Sequence, residues 1–168
     1  NKSIYLFSPD DVEKYRKELN IKEHNDSTIK EDFFEFLEER DYSLSYKMPF
    51  LLAIVKHIDS IGDAKIEEVL DDYIAFYQDR LSRGLQVDRS TCPYDEKMLK
   101  DRKAVQRNML TNPFEKFERK RFLYYSKDLS VISMNHALFG QMKVEDWERV
   151  RRQMMEDLRK YYDGMGGV

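Results

Sequence analysis

Basic side chains are concentrated between residues 97 and 127, where they can neutralise phosphate or carboxylate groups. This stretch holds ten lysines and arginines against three aspartates and glutamates, a net charge of +7. Residues 1–79 carry a net charge of −9 instead. Because a local patch determines the local potential, the total charge of −3 does not exclude a polyanionic partner.

Eight cations of this basic stretch are predicted to contact nucleic-acid phosphates, because each neutralised phosphate releases counterions and adds salt-dependent affinity. They are Lys100, Arg102, Lys103, Arg107, Arg119, Lys120, Arg121 and Lys127. Arg107 and Asn108 are also residue types that read base edges from a helix. The equally weighted alternative is a solvated face that pairs with the acidic N-terminal half.

Residues that could catalyse a reaction or bind a metal are few and poorly spaced. No two of His24, His57 and His136 have the i, i+4 spacing of a zinc site, and His57 is expected to be a hydrogen-bonded core residue. Cys92 has no neighbouring base that would activate it. Acidic-x-lysine triplets occur at 63–65, 95–97, 101–103 and 118–120, mostly on predicted helices or loops rather than on the core strand of a nuclease. The sequence therefore predicts no catalytic residue, no metal and no cofactor.

The composition is that of one globular domain, or one domain with a small extension. Of 168 residues, 41% are hydrophobic and 36% charged, and the aromatic content is too high for disorder. A single cysteine excludes an internal disulfide and predicts a reducing, cytoplasmic compartment. The longest apolar run, about a dozen residues, is too short to span a membrane. The chain begins at Asn1 rather than Met, which suggests a piece of a longer protein.

Hydrophobic periodicity predicts a mainly α-helical fold, a helical bundle with a small β-hairpin. A short strand is expected at 2–7. Helices are expected at 8–19, from a Thr28–Glu31 capping box to Arg40, and at 45–61, 66–82, 97–111 and 144–162. The hairpin strands are expected at 121–125 and 129–134. Phe114, Phe117 and Phe122 are expected in the core rather than stacked on bases.

Three helices followed by a hairpin have the order of a winged-helix unit. In that fold the third helix can enter a major groove while the hairpin touches the backbone. The alternative is a plain helical domain whose hairpin only covers the core. Residues 1–42 are predicted to form an acidic helical connector, and residues 43–168 the winged-helix-like domain.

Three stretches together carry a family resemblance: SYKMPFLLAIVKHI at 45–58, VLDDYIAFYQDRLSRGL at 69–85, and NPFEKFERKRFLYYSKDLSVISMNHALF at 112–139. They resemble the C-terminal region of bacterial DEAD/DEAH-type superfamily II helicases, including helicase subunits of restriction and defence systems. The resemblance covers roughly residues 43–163 and includes no ATPase motif. It implies an accessory domain that helps to hold DNA or a partner subunit, with the motor domains upstream.

The sequence therefore favours a non-catalytic domain that binds nucleic acid, preferentially DNA, within a larger helicase-like protein. The expected partners are nucleic acid and the upstream motor domains of the same chain, and not a membrane. The alternative is a protein-interaction domain that docks on the motor or on another subunit. A nuclease is the third hypothesis. DNA-binding assays across a salt series separate the first two hypotheses.

Overall fold

A computed structural model describes residues 24–40 and 42–168, together with Asp10. The strand expected at 2–7 and the helix expected at 8–19 lie outside the described residues, apart from Asp10. The helices are α1 (Ile29–Glu38), α2 (Lys47–His57), α3 (Ile66–Ser82), α4 (Glu96–Leu99), α5 (Arg102–Thr111), α6 (Pro113–Arg119), α7 (His136–Gln141) and α8 (Val144–Tyr161). The strands are β1 (Asp63–Lys65), β2 (Leu123–Ser126) and β3 (Val131–Met134).

The predicted fold class is confirmed, since the chain is mainly helical with one small antiparallel sheet. Helix α2 is the central core helix, because apolar residues cover most of its circumference and Phe50, Leu51 and Ile54 are almost fully buried. Helix α3 packs on it with Val69, Leu70 and Tyr73, which repeat with helical spacing. The bounds of α3 are those that the sequence predicts.

The sheet contains a strand that the sequence pattern did not reveal. Strand β1 is three residues long, and it pairs with β3 in the order β1-β3-β2. The register places Ala64 opposite Ile132 and Leu123 opposite Met134, with all four side chains buried. Strand β1 follows the first helix of the body, and four helices, α3 to α6, separate it from the hairpin along the chain.

Several predicted boundaries were wrong, each for a local reason. The single helix predicted over 97–111 is two helices, because Asp101 accepts the Ala104 N–H at 3.2 Å and so begins a new one. Thr28 makes no side-chain capping bond, so the predicted capping box is absent. The hairpin is confirmed, but its turn falls at 127–130, where Ser130 has a φ of 54°.

Helix α1 packs its apolar face into the same core. Phe33 lies against Phe122 with ring centroids 5.3 Å apart, and Phe36 lies against Phe117 at 5.1 Å. This helix belongs to the segment predicted as a connector, and the boundary near residue 42 stays a prediction. The packing places the exposed acidic face of α1 close to the end of α6.

The C-terminal segment is held by a buried arginine of α3. The Arg80 guanidinium donates to the carbonyl oxygens of Gln86 at 2.7 Å, Gly167 at 2.6 Å and Met165 at 2.9 Å. It also stacks 3.7 Å from the centroid of the Tyr162 ring. Arg80 therefore joins α3 to the residues that follow α8.

We expect Arg80→Met to lower the free energy of unfolding by about 2 kcal/mol, because three carbonyl groups lose a charged donor. Amide hydrogen exchange at 165–168 should accelerate in the same variant. Arg151→Met is the matched control, because the Arg151 side chain is 55% exposed and pairs with Glu148 on the surface. Equal urea midpoints for the two variants would contradict this role for Arg80.

Among the helices that the structure describes, none combines the length and the apolar character needed to cross a lipid bilayer.

Candidate nucleic-acid interface

Helix α5 presents two of the predicted cations on one exposed stripe. Val105 and Met109 are buried on its inner face. Lys103 and Arg107 are exposed and four residues apart, so they share the outer face. In the described part of the chain no carboxylate lies within ion-pair distance of either side chain. Both are therefore available to phosphate.

Two other predicted contacts are already paired with carboxylates. Arg102 lies 2.9 Å from a Glu67 oxygen and 2.8 Å from an Asp71 oxygen on α3. Burial opposes the charge of Arg102, but these bonds outweigh it and raise the pKa of the guanidinium above its ordinary value. Lys100 pairs with Glu96 one turn earlier, at 3.1 Å. The structure thus places Arg102 in a contact between α5 and α3.

The consecutive cations Arg119, Lys120 and Arg121, here called the cation triplet, lie at the end of α6. All three are exposed, and Arg119 pairs with Glu115 at 3.3 Å on its own helix. Arg121 N–H donates to the Glu118 carbonyl and Phe122 N–H to the Phe117 carbonyl, both at 2.9 Å. These two bonds form a Schellman ending, in which the residue after the cap takes a left-handed conformation.

Arg121 occupies that left-handed position, with a φ of 65°. Its carbonyl accepts a hydrogen bond from the Asn135 side chain at 3.0 Å. The Asn135 side-chain oxygen also accepts the Leu138 N–H at 3.1 Å and so caps α7. Asn135, which lies between the hairpin and α7, therefore holds the backbone of Arg121 in this conformation. Sequence reasoning missed this role of Asn135, although asparagine before a short helix is a capping signal.

The hairpin carries the last predicted cation, Lys127, in its exposed turn. Beside it, the Leu129 side chain is 73% exposed. Tyr124 on the edge strand is 44% exposed, whereas Phe114, Phe117 and Phe122 are buried as predicted. The hairpin tip therefore presents one cation, Lys127, one carboxylate, Asp128, and one apolar side chain, Leu129.

Asn108 does not present its amide on the outer face of α5. Its side-chain oxygen accepts a hydrogen bond from the Tyr94 hydroxyl at 2.7 Å, and Tyr94 is buried. The Asn108 side chain is thus engaged in packing α5 against the loop before α4. A base-reading role for Asn108 has no support from this geometry.

Two clefts meet at the cation triplet. The first, here called the basic cleft, has a volume of about 360 Å³. Its charged lining consists of Lys47, Lys116, Arg119, Lys120 and Glu39. The second, here called the mixed cleft, has a volume of about 460 Å³ and separates the triplet from the acidic face of α1. Its charged lining consists of Asp26, Asp32, Glu35, Glu39, Arg119, Lys120 and Arg121.

The mixed cleft is relevant to whether the cation triplet contacts phosphates or the acidic N-terminal half of the same chain. It places the triplet opposite the carboxylates of α1, which lowers the positive potential there. Among the described residues, however, no carboxylate of 24–40 comes within ion-pair distance of Arg119, Lys120 or Arg121. Among the described residues, the triplet therefore faces the acidic helix across the mixed cleft and not through direct salt bridges.

Lys47 is a buried cation that sequence reasoning placed only within the core helix. Its side-chain nitrogen donates to the carbonyls of Phe36 at 2.9 Å and Glu39 at 3.5 Å, at the end of α1. It also lies 4.1 Å from the centroid of the Phe36 ring. Burial lowers the pKa of the Lys47 ammonium to about 8. A lysine within an otherwise apolar helix was the signal available in the sequence.

In the described part of the chain, no three histidine, cysteine, aspartate or glutamate side chains are grouped closely enough to hold a metal ion. His57 bonds to Asp72 at 2.8 Å on the neighbouring helix, as expected of a hydrogen-bonded residue. Burial raises the pKa of the Cys92 thiol, which opposes formation of a thiolate. Among the described residues, the cations around α5, α6 and the hairpin remain the best candidate site.

Comparison of the chain with protein-family models, with curated proteins and with solved structures finds no match.

Proposed function

We propose that this chain is a non-catalytic domain that binds nucleic acid, with DNA as the preferred partner. The proposed contacts are Lys103 and Arg107 on α5, the cation triplet at the end of α6, and Lys127 in the hairpin turn. All are exposed and lie on consecutive elements of the chain. Lys100 and Arg102 contribute less, because carboxylates already neutralise them.

The conformation of Arg121 is the observation that carries the proposal. A residue with a side chain costs about 1 kcal/mol more than glycine in the left-handed region, and glycine is the usual residue at this position of a Schellman ending. The sequence places a cation there instead. Strain of this kind is concentrated at functional sites, where the side chain is needed despite its cost. An exposed arginine beside two other cations is suited to contact a phosphate.

The resemblance of residues 43–163 to the C-terminal region of superfamily II helicases supports an accessory role in a larger protein. The antiparallel pairing of β1 with the hairpin strand β3 supports a winged-helix-like docking arrangement with the hairpin as the wing. Helix α5 or α6 would then face the groove, since both precede the hairpin.

We expect Arg121→Gly to weaken DNA binding while raising the free energy of unfolding by up to about 1 kcal/mol. The affinity falls because one phosphate contact is lost, and the stability rises because the left-handed strain is relieved. The slope of log affinity against log salt should become shallower by about 0.9. Fluorescence anisotropy with a duplex oligonucleotide across a salt series, together with urea unfolding, measures both effects.

Replacing the whole triplet, Arg119, Lys120 and Arg121, by alanine should make the slope of log DNA affinity against log salt shallower by about 2.7. Arg151, Arg152 and Arg159 on α8, replaced together by alanine, are the control with the same change of charge. Equal affinities for the two triple variants would refute the proposed interface. A wild-type chain with no DNA affinity would instead favour docking on another protein.

A further inference from the structure

The basic cleft differs from the mixed cleft in its charge. Its lining contains four cations and one carboxylate, a net charge of +3. The mixed cleft contains three lysines and arginines and four carboxylates, a net charge of −1 with its histidine neutral. Although both clefts include Arg119 and Lys120, only the basic cleft is strongly favourable for an anion.

Lys47 is the buried cation among those that line the basic cleft, and its hydrogen bonds leave it without a carboxylate partner in the described part of the chain. The residue is 8% exposed, and its two hydrogen bonds go to backbone carbonyls rather than to a carboxylate. The ammonium also lies 4.1 Å from the centroid of the Phe36 ring, so carbonyl groups and a ring face meet its charge, but no carboxylate in the described part of the chain forms an ion pair with it. A buried cation without an ionised partner is costly, and an anion in the cleft would supply that partner.

The remaining lining suits a phosphate group. Lys116 on α6 and Lys120, which caps its end, are one turn apart, and both line the cleft together with Arg119. Asn112 also lines the cleft, but its side-chain nitrogen already donates to the Asn108 carbonyl at 2.8 Å. The volume of about 360 Å³ is large enough for a phosphate together with part of a sugar.

We propose that the basic cleft binds a phosphate group of the nucleic-acid strand, with Lys47 as the buried cation that contacts it. This inference rests on the proposed function, and it adds a defined phosphate-binding site to a surface otherwise composed of exposed cations. The lowered pKa of Lys47, caused first by burial, is consistent with a cation whose partner is absent. An internal phosphodiester and a terminal phosphate are the two possible sources of the group.

The test compares salt slopes of oligonucleotide binding for wild type, Lys47→Met and Lys56→Met. Lys56 is the matched control, because it lies on the same helix but is 66% exposed and pairs with Asp72. Lys47→Met should make the slope shallower by about 0.9, and Lys56→Met should leave it unchanged. Equal slopes for the two variants would overturn the inference. If the variant with Arg119, Lys120 and Arg121 replaced by alanine still binds DNA more weakly than wild type, the proposed function stands even when the Lys47 and Lys56 variants have equal slopes.

Oligonucleotides with a 5′-phosphate and with a 5′-hydroxyl distinguish the two sources. A preference for the 5′-phosphate that disappears in Lys47→Met assigns the cleft to a strand end. An equal loss with both oligonucleotides assigns it to an internal phosphodiester. Either result supports a phosphate in the cleft.

A second measurement applies even if Lys47→Met does not fold or the chain has no affinity for oligonucleotides. Inorganic phosphate added to the wild-type chain should shift the side-chain NMR resonance of Lys47 and raise its pKa above 8, whereas chloride at equal ionic strength should not. No specific effect of phosphate would overturn the inference. The charged groups that also act on the pKa of Lys47 are Glu39, Lys116, Asp157 and Arg40, while Arg119 and Lys120 line the same cleft.

Discussion

Raising the pH above 10 is expected to unfold this protein cooperatively, because many of its tyrosines can ionise only when the chain unfolds. Burial raises the pKa of seven tyrosines above the ordinary value of 10. They are Tyr42, Tyr46, Tyr73, Tyr77, Tyr94, Tyr161 and Tyr162. Tyr73 and Tyr77 are completely buried, and their rings are 5.4 Å apart.

The direction in which stability changes with pH follows from proton binding. Above pH 10 the unfolded chain loses tyrosine protons that the folded chain keeps, so stability is fully present below pH 10 and is lost as the pH rises. Each such tyrosine lowers the free energy of unfolding by about 1.4 kcal/mol per pH unit, and the seven together lower it by on the order of 10 kcal/mol per pH unit. A domain of ordinary stability, about 5 to 15 kcal/mol, should therefore unfold within one to two pH units.

Ultraviolet absorbance of tyrosinate and far-ultraviolet circular dichroism, followed together, measure this transition. The two signals should change at the same pH, because ionisation requires unfolding. Tyr73→Phe should make the loss of stability above pH 10 shallower by about 1.4 kcal/mol per pH unit. Gradual ionisation with the helical signal intact would contradict the expectation.

The ionisation of Lys47 makes stability rise, rather than fall, with increasing pH, and it does so at a lower pH than the tyrosines. Its folded-state pKa of about 8 lies below the ordinary 10.5, so the unfolded chain binds the proton more tightly between these values. Stability from this group therefore rises as the pH increases from 8 towards 10.5. Burial raises the pKa of the Cys92 thiol above its ordinary value of 9.0, so this thiol removes stability above pH 9 and opposes the gain from Lys47.

Asp88→Ala is expected to lower the free energy of unfolding by about 3 to 5 kcal/mol. Asp88 is 4% exposed, and its carboxylate connects the start of α2 to the end of α8. It accepts the Ser45 N–H at 2.9 Å and the Ser45 hydroxyl at 2.5 Å. It also accepts the Tyr161 hydroxyl at 2.5 Å and the Arg89 N–H at 2.7 Å.

The large effect is expected because the N–H and hydroxyl of Ser45, which is fully buried, stay buried when the carboxylate is removed. The Ser45 hydroxyl also bonds to the hydroxyls of Tyr77 at 2.8 Å and Tyr162 at 2.9 Å, so the loss extends to neighbouring side chains. Asp88→Asn keeps the volume but replaces one acceptor oxygen with a donor, and it should fall between wild type and alanine.

Asp79→Ala is the matched control for this experiment. The Asp79 side chain is 59% exposed and pairs with Arg83 at 3.1 Å, so its removal should change stability by less than about 1 kcal/mol. Urea unfolding at pH 7 compares the variants. A similar loss of unfolding free energy in Asp79→Ala and Asp88→Ala would show that the network around Asp88 stabilises the fold no more than a surface ion pair does.

The sequence alone determined the fold class and the burial of individual aromatic residues. The helical spacing of apolar residues over 66–82 defines α3 to the residue, and Phe114, Phe117 and Phe122 are in the core as expected. These features depend on a repeating local pattern that a few turns of chain can specify. The short strand β1 was missed because three residues carry no detectable period and are stabilised only by β3.

Only the tertiary structure decided which cations remain available for a polyanion. Arg102 is neutralised by Glu67 and Asp71, more than thirty residues earlier in the chain, as their hydrogen bonds and ion pairs show. Lys47 becomes a buried cation at the end of α1, and Arg121 takes a left-handed conformation where α6 ends. Composition specifies where charge is concentrated along the chain, whereas folding brings distant carboxylates and carbonyls to some cations and leaves others exposed. Electrostatic interactions act through space, so a sequence pattern cannot make that distinction.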